Sequence, residues 1–351
     1  MAEKISRWGF YNFNDFYDYC ITSDLNKYVP GAASFHDEAD ASINHLTDAS
    51  LNDTISCIML DFCKKPVPLQ NVGNTCYLNA VLQIFFGLND ILDFSEWIMK
   101  TINFTSICIL NNNLYKYLTF YYFMHLCTLD QIIHNDIYKF IEITSNIDTF
   151  FQNRIQQDAH ECFLKLLDIF DTGINAVHPG VIKFQDSYFQ GKFKVVKRCK
   201  NCNNKLLYLA PFYDIKVKPT IDINDSIKKA FKTQTTFTCF CEHCYTQHVY
   251  EYPRVLIVLL ERYTVSSVHS RPRRNCQRVT MLHSLKLPDT NYELCGVINH
   301  LGTTVNCGHY ISFVKRGVTW YKCDDATVQK IDDIPILSDD AYILVYYNNI
   351  T

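Results

Sequence analysis

The spacing of apolar residues changes period once along this chain, and that change constrains the fold more than any other feature. From Cys76 onward, Leu78, Val81, Leu82 and Phe85 fall at the spacing that lines one face of a helix. A second stretch repeats the pattern at Ala159, Cys162, Phe163, Leu166, Leu167 and Phe170, with Asp158 placed as its N-cap. Residues 90 to 150 between them are aromatic-rich and read as helical. Beyond about residue 180 the pattern becomes that of strands. Val255 to Leu260 is a short unbroken apolar run, Tyr310 to Val314 is dominated by β-formers, and Ala341 to Tyr347 ends the fold similarly. Helices first and strands later predict an α+β architecture.

With 351 residues the chain is expected to form one large domain with subdomains, or two domains. A hydrophobic content of 48%, with 14% aromatics, excludes the disordered class. The formal charge of -3 implies no global attraction to nucleic acid or to an anionic membrane. No apolar run approaches the roughly 20 residues of a spanning helix, and the start carries no secretion signal. The expectation is a cytoplasmic or nuclear protein that is not secreted. Its sixteen cysteines then read as metal ligands, a catalytic thiol and small buried side chains. Pro66 and Pro68 punctuate the chain and place a boundary near residue 65.

Three strings carry chemistry. Asn71-Val72-Gly73-Asn74-Thr75-Cys76-Tyr77-Leu78-Asn79 sets a thiol at the first turn of a helix, where unsatisfied N–H groups favour the thiolate. Those N–H groups and an amide such as Asn71 suit an oxyanion on an attacked carbonyl. Gly308-His309-Tyr310 is followed, after a turn around Gly317, by Trp320-Tyr321-Lys322-Cys323-Asp324-Asp325. Strand, turn and strand bring Asp324 back toward His309, as a general base needs a partner on its second ring nitrogen. Cys199-Lys200-Asn201-Cys202 and Cys241-Glu242-His243-Cys244 are two Cys-x-x-Cys knuckles, and four thiolates suit tetrahedral zinc. Cys239 and His243 lie near enough to substitute as ligands. The arginines at 271, 273, 274 and 278 read as a solvated loop, and Cys307, two positions before His309, raises a regulatory disulfide with Cys76.

The first two strings resemble the two signature boxes of the ubiquitin-specific proteases. Gln156-Gln157-Asp158-Ala159-His160-Glu161 is similar to that family's Gln-Gln-Asp box. Val255-Leu256 followed by Glu261-Arg262-Tyr263 is similar to its buried strand, and Tyr292-Glu293-Leu294 through Val297-Ile298-Asn299-His300 to the strand before its histidine. The resemblance implies a papain-like fold over 66–351: a helical thumb at about 70–175, fingers at about 185–255 and palm strands at about 255–350, with 1–65 an extension of unknown role. It also implies hydrolysis of isopeptide and peptide bonds after the C-terminal glycine of ubiquitin, through an acyl-enzyme on Cys76. His309 would be the base, Asp324 its orienting partner, Asn71 the oxyanion amide and Asp325 an assistant.

Gln157, Asp158 and Glu161 would border the channel for the ubiquitin tail, whose arginines carboxylates can pair. The plainer alternative is that this box caps and packs its helix. Cys199, Cys202, Cys241 and Cys244 would hold a structural zinc in the fingers, with no catalytic cofactor. The implied partners are ubiquitin and ubiquitinated proteins, with no nucleic acid, no membrane and a monomeric chain. A protease for another Gly-Gly modifier, or a ubiquitin-binding scaffold without activity, are the competing readings; intact Cys76, His309 and Asp324 argue against the scaffold. Cys162 and Cys323 stand where the family usually has Phe, and Cys323 adjoins Asp324.

Overall fold

A computed structural model describes residues 65–88, 114–129, 131–152, 155–177, 183–199, 205–231, 234–237, 243–264, 273–304 and 307–348. The extension expected over 1–65 falls, but for its last residue, outside them. The helices come mostly first: α1 (Cys76–Phe85), α2 (Leu114–Thr128), α3 (His134–Ser145), α4 (Ala159–Val177), α5 (Phe184–Tyr188) and α6 (Ile223–Phe231). Among the described residues no helix is long and apolar enough to cross a membrane.

One-sided spacing suggests a surface helix, yet every residue of α1 is buried. It is enclosed by α4 on one side and by the strands that carry the histidine segment on the other. Phe85 of α1 stacks on Phe163 of α4 at 4.5 Å, and Phe123 of α2 packs 4.9 Å from Phe170 of α4. The polar residues of α1 are buried for a reason. Asn79 donates to the carbonyls of Leu69 and Gln70 (3.3 Å each), and Gln83 donates to that of Val67 at 2.6 Å. The extended segment entering α1 thus finds partners for its carbonyls on the helix itself.

The strands are β1 (Gly191–Cys199), β2 (Lys205–Phe212), β3 (Ile215–Val217), β4 (Gln234–Phe237), β5 (His243–Glu251), β6 (Val255–Leu260), β7 (Tyr263–Thr264) and β8 (Arg273–Arg274). They continue with β9 (Val279–Thr280), β10 (Ser284–Leu287), β11 (Thr290–Thr304), β12 (Cys307–Arg316), β13 (Thr319–Asp324), β14 (Thr327–Ile331), β15 (Leu337–Ser338) and β16 (Ala341–Tyr347). A four-stranded sheet has the order β2-β1-β5-β4. The larger sheet runs β14-β13-β12-β11-β16-β6-β3, with β10 beside β11. The architecture is α+β.

Strand β6 explains how the larger sheet is held. Its six residues, Val-Leu-Ile-Val-Leu-Leu, are all buried, because both faces are covered. Val255, Ile257 and Leu259 point into the core shared with α1, α2 and α4, whereas Leu256, Val258 and Leu260 point into a second core with Ile223, Ile227 and Phe231 of α6. The period-2 alternation of a strand sorts an unbroken apolar run into two cores.

Candidate active site

Thr75 precedes α1, and Cys76 is its first residue, 3% exposed. Two successive left-handed residues, Gly73 (φ 113°) and Asn74 (φ 55°), turn the chain into the helix. Asn71 organises that turn: its Oδ1 accepts from the backbone N–H of Gly73 (3.0 Å) and of Thr75 (3.1 Å). The helix N-terminus leads one to expect a thiol pushed toward thiolate. The structure gives the opposite net direction for the resting site. Burial raises the Cys76 thiol, the Tyr310 backbone N–H at the sulfur lowers it, and the Asp325 charge raises it again. Desolvation outweighs the backbone N–H donors of Tyr310, Tyr77 and Cys76 itself, so the net push at Cys76 is upward, toward the thiol.

The candidate base arrives from the sheet. A two-residue turn at Gly317-Val318, with Gly317 at φ 57°, folds β13 back along β12, and Arg316 faces Thr319. His309 Nε2 meets Asp324 Oδ1 at 2.7 Å, and both side chains are 37% exposed. Tyr310, next to His309, is the residue whose N–H reaches the Cys76 sulfur. Cysteine, histidine and aspartate are thus carried by α1, β12 and β13, three elements packed against one another.

The two adjacent aspartates do different things. Asp325 sits at φ 48° in the two-residue turn between β13 and β14. Its Oδ2 accepts from Asn71 Nδ2 at 2.9 Å, its Oδ1 accepts from Asn79 Nδ2 at 2.8 Å, and its carbonyl accepts from the Leu69 N–H at 3.1 Å. Asp325 thus ties the β13–β14 turn to the cysteine loop and to α1. Asn71 spends one amide proton on this tie and keeps a second, since an amide nitrogen carries two.

The Gln-Gln-Asp segment lies at the start of α4. Asp158 caps the helix, its Oδ1 accepting from His160 N–H (2.8 Å) and Glu161 N–H (2.9 Å), while its Oδ2 accepts from the Tyr342 hydroxyl. Gln157 donates to the Phe150 carbonyl at 3.1 Å. Glu161 is exposed, with a loose 3.6 Å pair to Lys165. A cleft of about 180 Å³ opens beside the cysteine loop, lined by Val72, Gly73, Thr75 and Tyr77 and by Tyr138 and Glu142 of α3.

Other sequence expectations meet the structure unevenly. Cys202 and Cys241 lie outside the described residues. The backbones of the other two knuckle cysteines are neighbours: Cys199 pairs with His243, and Arg198 with Cys244, where β1 ends and β5 begins. Arg273 and Arg278 are exposed. Arg274 departs from the solvated-loop reading, since its Nη2 donates to the carbonyls of His300 (3.3 Å) and Asp339 (3.0 Å) and to the Asp340 carboxylate. Its neighbour Arg262, fully buried, donates to the carbonyls of Asn275 and Gln277, so the segment is anchored from both sides. Cys307 is an exposed free thiol and Cys76 a buried one.

Gln156, Asn79, His300 and Tyr263 escaped selection as site residues, although each stands inside or beside a string singled out. Gln156 accepts the Gly308 N–H at 2.9 Å, across 152 positions of chain. Spacing carries no trace of such a contact.

A buried cysteine at a helix N-terminus, with a histidine–aspartate pair carried by strands packed on that helix, is a residue set suited to thiol-dependent hydrolysis. A family profile described as "Ubiquitin carboxyl-terminal hydrolase" matches residues 67–346, and the chain belongs to that family. Among its relatives is mouse ubiquitin carboxyl-terminal hydrolase 17-like protein B, 26% identical over 311 residues, covering 79% of this chain and 63% of the relative. Ubiquitin carboxyl-terminal hydrolase 23 of Arabidopsis thaliana is 26% identical over 328 residues, covering 82% and 36%. The chain spans about three fifths of the length of the mouse relatives it matches. The fold is similar to that of a solved Ubp8/Sgf11/Sus1/Sgf73 module of SAGA bound to ubiquitin aldehyde, with TM-score 0.71, 19% identity, and coverage of 86% of this chain and 74% of that one. The fold is that of the ubiquitin-specific proteases.

Proposed function

We propose that the protein is a deubiquitinase, a thiol-dependent hydrolase of the bond after the C-terminal glycine of ubiquitin. What supports this reading is the Tyr310 N–H at the Cys76 sulfur, next in the chain to the His309 that pairs with Asp324 at 2.7 Å, within a family match over 67–346. With Nε2 engaged by Asp324, Nδ1 is the His309 nitrogen left to exchange a proton with the thiol. His309 takes the Cys76 proton as sulfur attacks the glycine carbonyl, forming the S–C bond. The C–N bond then breaks as His309 returns the proton to the leaving amine. Water, deprotonated by the same imidazole, attacks the thioester and releases the glycine carboxylate and the thiol.

The remaining amide proton of Asn71 and the N–H groups of the first turn of α1 serve the oxyanion. Asp324 orients His309, and Asp325 assists by holding the cysteine loop. Of the tail-channel residues, Glu161 is the carboxylate exposed to a basic tail, while Asp158 and Gln157 shape the wall through their own bonds. Helices α1 to α4 then form a thumb, the four-stranded sheet fingers and the larger sheet a palm, within a catalytic domain over 66–351.

Zinc would be held by Cys199, Cys202, Cys241 and Cys244. The adjoining ends of β1 and β5 are compatible with such a site, and a four-sulfur donor set suits this metal in a structural role. Ubiquitin and its conjugates are the proposed partners of a monomeric chain. A reducing compartment, cytoplasm or nucleus, suits the free thiols at Cys76, Cys127, Cys276 and Cys307.

The test is turnover of a fluorogenic ubiquitin C-terminal amide, run beside the same fluorophore on other Gly-Gly modifiers. Turnover of ubiquitin by the wild type, abolished in Cys76→Ala, supports the proposal. A silent wild type, undiminished turnover by Cys76→Ala, or a preference for another modifier refutes it.

A further inference from the structure

Behind His309 runs a hydrogen-bonded chain that neither attack nor proton transfer uses. The Gly308 N–H donates to Gln156 Oε1 at 2.9 Å. This contact fixes the amide orientation, so Gln156 Nε2, 3.4 Å from His300 Nε2, is the donor and the ring nitrogen carries the lone pair. The ring proton then lies on Nδ1, 2.6 Å from the Tyr263 hydroxyl, and Tyr263 donates onward to the Gly302 carbonyl at 3.2 Å. Each donor along this chain meets an acceptor, and the roles agree.

The ring of His300 also fills the space beneath the facing ends of β11 and β12. A Cβ on Gly302 would lie 2.8 Å from His300 Nε2 and 2.3 Å from the Cys307 carbonyl. One on Gly308 would lie 2.6 Å from that nitrogen and from Gly302 Cα. On its other side the imidazole stacks on Tyr310, 4.2 Å away and 9° from parallel. Both neighbours of His309 therefore rest on His300: Gly308 through Gln156, and Tyr310 by stacking. Tyr310 is in turn the residue whose N–H meets the Cys76 sulfur.

We propose that His300, held in its Nδ1–H tautomer by Gln156 and Tyr263, is a positioning residue that sets His309 against Cys76. The proposal rests on the reading of Cys76 as nucleophile and His309 as base. Burial, with help from the Arg274 charge, lowers the His300 pKa to about 4 against the opposing pull of Asp158 and Asp340; His309 lowers it further. Rings of Tyr263, Tyr310 and Tyr342 complete its surroundings. Near neutral pH the Nε2 lone pair is thus available to Gln156.

The experiment reads the proton transfer without ubiquitin. The full chain is treated with iodoacetamide across pH, and the alkylation rate of Cys76 is followed by peptide mass mapping, alongside turnover of the fluorogenic ubiquitin amide and thermal unfolding. Gln156→Ala truncates a half-buried side chain, and Tyr263→Phe keeps the ring and removes only the hydroxyl. Both are expected to slow Cys76 alkylation near pH 7 by about 10- to 100-fold, as a base displaced by up to an ångström does. The rate should return to that of the wild type at alkaline pH, where the thiol ionises unaided. A merely structural role lowers the melting temperature and leaves this profile in place.

A wild-type alkylation profile in both variants overturns the proposal, whatever their melting temperatures. If the wild type turns over no ubiquitin amide, yet its alkylation depends on His309 and shifts in the variants, the positioning role stands and the ubiquitin reading falls.

Discussion

At the scale of the residue, adjacent aspartates with the same chemistry have been assigned separate tasks by backbone conformation alone. Asp324 ends a strand and reaches His309; Asp325, one residue on and left-handed, turns away to Asn71 and Asn79. Their substitutions should therefore differ in kind. Asp324→Asn leaves His309 without a carboxylate to fix its ring and should lower kcat on the order of 10²-fold, with little change in melting temperature. Asp325→Asn replaces an acceptor of two amide donors by a group that presents its own N–H₂. It should destabilise the chain by about 1.5–3 kcal/mol.

The sign of its pH effect follows from the same contact. The Asp325 charge raises the Cys76 thiol, so removing it lowers that pKa and moves the rise of Cys76 alkylation to lower pH. Alkylation profiles and thermal unfolding of the two variants separate these outcomes; equal effects on both readouts would sink the division of labour. The Trp-x-x-x-Asp-Asp string reveals two carboxylates beside each other. It cannot reveal which one faces the histidine, because that depends on the hand of a two-residue turn.

Among the elements, α1 matters most, and it is fastened at both ends. Its first turn is bound through Asn79 to the β13–β14 turn, and its last turn through Arg316 Nη2, which donates to the Gln83 carbonyl at 2.8 Å. A cation at a helix C-terminus satisfies an orphan carbonyl and complements the dipole. Arg316 is buried enough that its pKa is lowered to about 10, so it stays charged near neutrality. Gly87 makes room for it: a Cβ there would stand 1.8 Å from Nη1 and 2.7 Å from Cζ. Gly87→Ala should push the guanidinium off the helix end and cost about 1–3 kcal/mol, read by urea unfolding. An unchanged midpoint would show that Arg316 finds another seat.

The helical period around Cys76 and Ala159, and the strands at Val255–Leu260 and Ala341–Tyr347, were legible in the sequence because periodicity and cap residues are local signals. The complete burial of α1 was not, since Asn79 and Gln83 read as polar until the carbonyls they serve are in view. Gln156 against Gly308 and Arg316 against Gln83 belong to the same class. Each joins segments far apart in the chain, and each is decided by how the helices seat on the sheet.

At the scale of the molecule, apolar burial among the described residues is uneven. The larger sheet is sandwiched between two cores, whereas in β1 and β2 the buried apolar side chains among those described are Val195 and Phe212. Leu206, Leu207 and Leu209 of β2 are exposed. With so little buried in β1 and β2, their far end gains little from the hydrophobic effect, and a crosslink there would contribute most. That reasoning makes the proposed zinc site a stability element of the four-stranded sheet and leaves the cysteine–histidine site to the two cores. Metal analysis of the purified chain should find about one zinc per chain, reduced in Cys199→Ser. Chelation should speed amide hydrogen exchange in β1, β2 and β5 while protection in α1, β12 and β16 persists, because local opening follows local burial. Loss of protection spread evenly over both sheets, or a metal-free chain with a protected β1–β5 pair, would contradict this assignment and return the stability of the smaller sheet to its backbone ladder.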